Sequence, residues 1–181
     1  MARGATVLWN VSSQDAANRA TGVVLGNGLS QLKGFNPYTG RLDWATLTVP
    51  AGAAQLQEAY QYDVLGNVTN RTQYWGSADK LQGYSEDFTY DKLNRLWSSH
   101  IHDQPSLTFT YDAAGNIKSK TGTGTYAYPE QGASAVRPHA VQSIDSLPGT
   151  FAYDLNGNQL ISPGRSASWT SFDMQRQLAK R

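Results

Sequence analysis

The side chains in this sequence that could do chemistry are few and scattered. His100 and His102 stand two residues apart, so on a strand they would project from one side about 7 Å apart, with Asp103 beside them. A zinc site needs at least a third protein ligand, and none falls at a recognisable spacing, so the pair reads as ordinary surface residues. Asp154-Leu155-Asn156-Gly157-Asn158 copies the opening of an acidic calcium loop, but the later bidentate Glu is missing and turn chemistry accounts for every residue. Serines and aspartates are plentiful, yet neither G-x-S-x-G nor H-E-x-x-H occurs. With no cysteine there is no thiolate metal site and no disulfide framework. The reading is of a chain with no catalytic residue, no cofactor and no metal site, and not an enzyme. One non-catalytic chemistry stays open: Trp75, Trp97 and Trp169, if they line an outward groove, could stack on sugar rings in a carbohydrate-binding or adhesion repeat.

The aspartates recur in a pattern. Tyr62-Asp63 leads to Gly66-Asn67, Tyr90-Asp91 to Asn94-Arg95, Tyr111-Asp112 to Gly115-Asn116, and Tyr153-Asp154 to Gly157-Asn158. Internal repetition of this kind marks architectures in which each unit buries its apolar side only against its neighbours. Ahead of one pair, Leu107, Phe109 and Tyr111 alternate with Thr108 and Thr110, the period of a half-buried strand, and beyond it Ile117 and Ser119 alternate with Lys118 and Lys120. Asp112 and Gly115 hold the first and fourth places of a type I turn. There the carboxylate can accept from backbone N–H groups, and glycine tolerates positive φ. Asn94 replaces the glycine in one copy because Asn is the non-glycine residue most tolerant of positive φ. Each copy therefore predicts a β-hairpin, and its Tyr, Asp, Gly and Asn are structural residues of the repeat.

Composition agrees. Only 16% of residues are charged, against about 25% in an ordinary soluble domain, while 10 Tyr, 5 Trp, 5 Phe and 17 Gly favour strands and turns. At 181 residues the chain reads as one domain, long enough for a substantial core. A net charge of +1 gives no reason to expect nucleic acid or an acidic membrane surface as partner. No apolar run approaches the roughly 18 residues of a membrane span, and Met1-Ala2-Arg3-Gly4 does not lead into a signal-peptide core.

Taken in order, residues 1–20 are expected to be irregular, with 12–19 a loop or short helix. Phe35-Asn36 opens a degenerate copy that runs to Gly40-Arg41. Residues 53–60 are rich in helix formers, but Leu56, Tyr60 and Tyr62 share one parity and lead into the next copy, so strand is expected. Residues 74–82 read as an exposed loop between hairpins, 121–150 as the least regular part, and Phe172-Asp173 as the start of a last degenerate copy. The aromatic anchors at 35, 62, 90, 111, 128, 153 and 172 suit units of two strands and two turns. The whole predicts a single antiparallel meander of about a dozen strands, too wide to stay flat.

The repeated Tyr-Asp-x-x-Gly-Asn, the run from Phe88 to Leu96 and the segment Arg137-Pro138-His139-Ala140-Val141-Gln142-Ser143-Ile144 resemble the Rhs/YD-repeat proteins of bacteria, a family that includes the shell of Tc-type insecticidal toxins and is related to the teneurin YD shell. The resemblance covers roughly residues 20–181. It implies an all-β fold of antiparallel hairpin repeats coiling as a spiral sheet, with this chain a segment of a shell that encloses a C-terminal toxin or effector polypeptide. It also implies a secreted or cell-surface setting, with no targeting signal in this chain. The implied partners are neighbouring repeats and the enclosed polypeptide, and exposed sheet edges would favour self-association. Many members carry an aspartate self-protease marked by D-P-x-G-L. That motif is absent here, and Asn36-Pro37-Tyr38-Thr39-Gly40 lacks its Asp.

Overall fold

The structure, a computed structural model, describes residues 2–3, 6–50, 54–76 and 82–180. Every helix or strand among them is a strand, so no described helix is long and apolar enough to cross a membrane. The chain divides into two units, Met1–Pro105 and Ser106–Arg181.

In the first unit β1 (Ala2–Arg3) and β2 (Thr6–Val7) form a small hairpin. An antiparallel meander follows: β3 (Trp9–Gln14), β4 (Ala20–Leu25), β5 (Ser30–Phe35), β6 (Leu42–Thr48), β7 (Ala54–Tyr62), β8 (Val68–Trp75), β9 (Gln82–Tyr90) and β10 (Leu96–Ile101). Each strand pairs with the next in sequence. The second unit holds a meander of β11 (Leu107–Tyr111), β12 (Ile117–Lys120), β13 (Gly124–Ala127) and β14 (Ser143–Ile144). A separate one contains β15 (Ala152–Tyr153), β16 (Gln159–Ser162), β17 (Arg165–Trp169) and β18 (Gln175–Lys180).

Strand replaces helix at β7, as its parity requires. Its alternate residues face opposite sides of a sheet paired on both edges, and that pairing outweighs the helix propensity of so short a window. Three expectations are corrected. Residues 9–14 are not irregular but form β3, a pairing partner for β4 that local composition does not reveal. Tyr74 and Trp75 lie in β8 and Gln82 opens β9, so the expected loop shrinks to a stretch that includes residues 77–81, which lie outside the described residues. The meander of the second unit is interrupted between β14 and β15 around Pro148 and Gly149, where a missing N–H and a φ of 141° interrupt pairing.

A recurring irregularity sets the repeat's geometry. The register shifts just before Phe35, Tyr62, Tyr111 and Tyr153, and the aromatic then faces the residue just after the turn: Tyr62 pairs with Val68, Tyr90 with Leu96, Tyr111 with Ile117 and Tyr153 with Gln159. Such bulges increase local twist and aim one side chain out of the regular alternation.

The expected core is not there. Ala45 is the buried apolar side chain among the described residues, and no side chain among them is less than 2% exposed. Within the first unit's sheet, side chains are covered by their neighbours along the same face. In the first unit one face carries the row Tyr60, Arg71, Glu86 beside the row Glu58, Gln73, Tyr84. There Arg71 pairs with Glu86 at 2.7 Å, and Glu58 accepts from Gln73 at 2.6 Å and from Tyr60 at 3.0 Å. The opposite face carries Trp44, Ala59, Thr72 and Ser85 in one row.

Candidate functional site

The residues singled out by the repeat converge on the turns. Asp63 Oδ1 accepts from the backbone N–H groups of Leu65, Gly66 and Asn67 at 2.8 to 2.9 Å, and Oδ2 accepts from the Asn67 amide at 2.8 Å. Gly66 donates to the Asp63 carbonyl with φ at 101°, and Asp63 donates to the Asn67 carbonyl, the geometry of a type I turn closed by a glycine bulge. Asp112 with Gly115 and Asn116, and Asp154 with Gly157 and Asn158, repeat it. In the Asp91 turn Asn94 takes the positive φ at 59° and Arg95 replaces the last Asn, donating through Nε to Asp91 Oδ2 at 2.8 Å. In the Phe35 copy Asn36 Oδ1 clamps Tyr38 and Thr39, and the turn is one residue longer.

One copy is invisible to an alignment on the aromatic–Asp pair. Asp15 Oδ1 accepts from Ala17 and Arg19, Asn18 has φ at 59°, and Arg19 Nε donates to Asp15 Oδ2 at 2.6 Å, matching the Asp91 turn bond for bond. Gln14 stands where the tyrosine would, which hides it. The shared Asp-x-x-Asn-Arg of 15–19 and 91–95 is the signal that finds it. The last copy is shifted. Thr170, not Asp173, clamps the turn, Asp173 takes the positive φ at 57°, and Trp169 faces Gln175 as the anchor, while Phe172 is 86% exposed. Phe172-Asp173 mimics the motif three residues out of phase.

In five of the motifs the final residue does something a turn does not need. Arg19 Nη1 reaches the Gly40 carbonyl at 2.6 Å in the next turn and its guanidinium lies 4.4 Å over the Phe35 ring. Arg41 Nη1 reaches the Asp63 carbonyl at 3.1 Å and lies 5.5 Å over Tyr62. Asn67 Nδ2 donates to Asn94 Oδ1, Asn116 Nδ2 to the Pro138 carbonyl, and Asn158 Nδ2 to Asp173 Oδ1. The turns at Asp15, Asn36, Asp63 and Asp154 are thus each tied to the next one, while Asn116 ties its turn to the segment at Pro138. Asn116 is buried, and its Oδ1 meets His139 Nδ1 at 2.7 Å, so the Arg137-to-Ile144 segment docks on a turn through Pro138 and His139.

The aromatics form a second line of links. Tyr62 donates to the Leu42 carbonyl at 2.7 Å, Tyr90 to Val68 at 2.7 Å, Tyr128 to Ile117 at 3.1 Å and Tyr153 to Val141 at 3.0 Å. Trp169 substitutes an indole N–H to the Gln159 carbonyl at 2.9 Å. Burial holds the hydroxyls of Tyr62, Tyr90 and Tyr128 above the ordinary tyrosine value, so they remain donors.

The carboxylates of the turns are held below the usual aspartate value. For Asp63, Asp112 and Asp154 the first cause is the amide of the following Asn, and for Asp15 and Asp91 the backbone N–H of the following Arg. They are anions whose lone pairs are spent on the turn, the opposite of a general acid poised near neutrality. At the calcium-like stretch, Asn156 and Asn158 point amide N–H groups at Asp173, so donors, not oxygen ligands, meet the carboxylate. The two histidines do not share a strand face, because β10 ends at Ile101 and His102 sits in a turn with Asp103 at φ 62°, 3.6 Å from the Asp103 carboxylate. Among the described residues no group of three metal-ligating side chains forms. Trp75 packs edge-on against Tyr84 at 5.7 Å, and Trp97 is 54% exposed at a bulge.

No protein-family model matches the sequence, and no curated protein matches it. Solved structures do match. The chain aligns with a chain of the Photorhabdus luminescens Tc holotoxin pore at a TM-score of 0.68 and 19% identity over 96% of its length. The TcdB2-TccC3-Cdc42 crystal structure gives 0.63 at 19% identity over 92%, and the TcdB2-TccC3-TEV crystal structure 0.61 at 18% over 96%. In each case this chain spans 10% of the other chain's length. The all-β repeat fold is that of a portion of these Tc toxin chains.

Proposed function

We propose that this chain is a structural wall element, a run of YD-type hairpins from an Rhs-like shell whose task is to enclose a toxin or effector polypeptide, in an assembly that is secreted or displayed at a bacterial surface. The observation that carries the reading is the double set of links, turn to turn and aromatic to preceding hairpin. Each makes one hairpin the support of the next, and neither contains a group left over for catalysis. The sparse burial among the described residues supports it as well. Large apolar side chains such as Trp44, Tyr74 and Trp75 stay 39 to 42% exposed, more than a freestanding domain keeps when it can bury them. The fold shared with Tc toxin chains is consistent with this role. The neighbouring repeats of a longer wall are the natural partners of the sheet's edges, and in isolation the open side of β18 offers unpaired N–H and C=O groups to a second copy.

The test is protease protection of the polypeptide encoded by the whole reading frame around this segment. Enclosure predicts that sequence following the repeats resists protease in the intact protein and is digested once the wall is unfolded. Equal digestion with and without the wall would remove the proposal.

A further inference from the structure

Arg137 stands apart from the other arginines. Arg19, Arg41, Arg71 and Arg95 are half-buried, and each has a partner: the Asp15 carboxylate, the Asp63 carbonyl, Glu86 and Asp91. Arg165 and Arg176 are exposed, where water serves instead. Arg137 is half-buried, yet its side chain makes no hydrogen bond or ion pair among the described residues. Drawing a guanidinium partly out of water with no counter-charge is unfavourable, so its place calls for a reason.

The backbone is built to hold it there. Arg137 has φ at 57°, a conformation uncommon for a long side chain and kept only where the surroundings impose it. On its C-terminal side the Pro138 carbonyl accepts from Asn116 at 3.1 Å and from Gln131 at 2.8 Å, and the Ala140 N–H closes a turn onto the Arg137 carbonyl at 3.0 Å. Further on, the Val141 carbonyl takes the Tyr153 hydroxyl, and the Gln142 N–H reaches the Ala127 carbonyl at 2.7 Å. The segment is therefore pinned on several sides.

Between this segment and β15 lies an open pocket of about 290 Å³. Arg137 is the one charged side chain among the described residues that line it. Val136, Phe151 and Ala152 give it apolar surface, and the Gln142 amide, also without a partner among the described residues, completes the polar part. Glu130 is exposed and outside the lining. An apolar wall with a few placed polar groups is the composition of a small-molecule site. What this lining lacks is an anion. A guanidinium fork matches the two oxygens of a carboxylate, whose single charge one arginine balances. A phosphoryl group carries nearly two charges near neutrality and a third oxygen, more than one arginine and one amide satisfy. The apolar remainder of the wall calls for a ring or a branched hydrocarbon on the same ligand.

We propose that this pocket binds a small monocarboxylate with an apolar body, an aryl acid for example, with Arg137 pairing the carboxylate, Gln142 adding an amide N–H, and Phe151 and Val136 covering the body. A free acid and the carboxyl end of a peptide finishing in Phe present the same chemistry. The proposal does not depend on the chain being part of a shell.

The 181-residue chain would be titrated near neutral pH with phenylacetate and with acetyl-Gly-Phe carrying a free carboxyl end, each beside its neutral amide, following saturation-transfer NMR. The expected result is saturable binding of at least one acid with a Kd on the order of 1 mM, and binding of its amide weaker by at least about tenfold. Whichever acid binds more tightly identifies the source of the carboxylate. Arg137→Gly removes the guanidinium while glycine keeps the positive φ, so the fold should persist by circular dichroism and the acid should bind at least about tenfold more weakly. No saturation by either acid up to about 50 mM overturns the proposal. So does an amide that binds as well as its acid, a comparison made on the unaltered chain, and so does binding that Arg137→Gly leaves unchanged.

Discussion

Tyr90 donates its hydroxyl to the carbonyl of Val68 at 2.7 Å, across a sequence separation of 22 residues. Val68 opens the strand that leaves the preceding turn, so this bond joins the entry of one hairpin to the exit of another. Tyr62 and Tyr128 make the equivalent bond, to Leu42 and Ile117, while Tyr153 donates to Val141 in the irregular segment. Phenylalanine would pack almost as well at these positions, so the hydroxyl is what selects tyrosine. Tyr90→Phe should lower stability by about 0.5–1.5 kcal/mol, the net value of one such bond. Urea unfolding would show the midpoint falling with an unchanged slope.

Asn116 should matter more than its counterpart Asn67. It is 7% exposed and holds Asp112, the Pro138 carbonyl and His139 together. Asn116→Ala strands those partners, at a cost of about 1–3 kcal/mol for unsatisfied buried groups. Asn67 is less buried and its outward bond to Asn94 is long, at 3.3 Å. Asn67→Ala should cost clearly less. Equal losses for the two variants in the same unfolding assay would mean that docking of the 137–144 segment contributes nothing.

The turns are legible in the sequence because their requirements are local. Asp112 and Gly115 declare a turn, since only a short carboxylate and a residue free at positive φ satisfy that backbone. The roles of Asn116 and Arg19 are not legible in the same way. Their partners, Pro138 and Gly40, lie 22 and 21 residues away and are met through backbone carbonyls that any residue supplies. The Asp15 turn is hidden because this copy lacks the aromatic that marks the others. The seating of Trp44 and Tyr74 is hidden for a related reason: Gly34 and Gly83 look like weak points in strands, and only the register shows that each lies opposite a ring.

Acid should loosen the repeats together. Asp15, Asp63, Asp91, Asp112, Asp154 and Asp173 all have carboxyls held below the ordinary value of 3.8. A carboxyl whose folded value is depressed adds stability that is fully present above its unfolded value and is lost as pH falls through the folded one. Stability should therefore be flat with respect to these groups down to about pH 4 and decline below it. Asp63→Asn should be less stable near neutrality and show a shallower decline. A urea midpoint measured across that range checks both, and an identical acid limb in variant and parent would show that the Asp63 clamp does not titrate with folding.

Two glycine substitutions separate backbone strain from crowding. Gly115 has φ at 86° with nothing within 4 Å of where a Cβ would stand, so Gly115→Ala meets only the left-handed penalty of about 1–2 kcal/mol. Gly34 has ordinary φ, but its new Cβ would collide with the Trp44 indole. Gly34→Ala should cost about 1–3 kcal/mol, as other overpacked sites do, and shift the tryptophan emission as the ring moves. The two losses should respond differently to Trp44→Leu. Removing the indole gives the Gly34→Ala methyl room, so in that background the substitution becomes nearly neutral, while Gly115→Ala costs the same in both backgrounds. A Gly34→Ala penalty that persists without Trp44 would place its origin in the strand and not in the ring that leans over it.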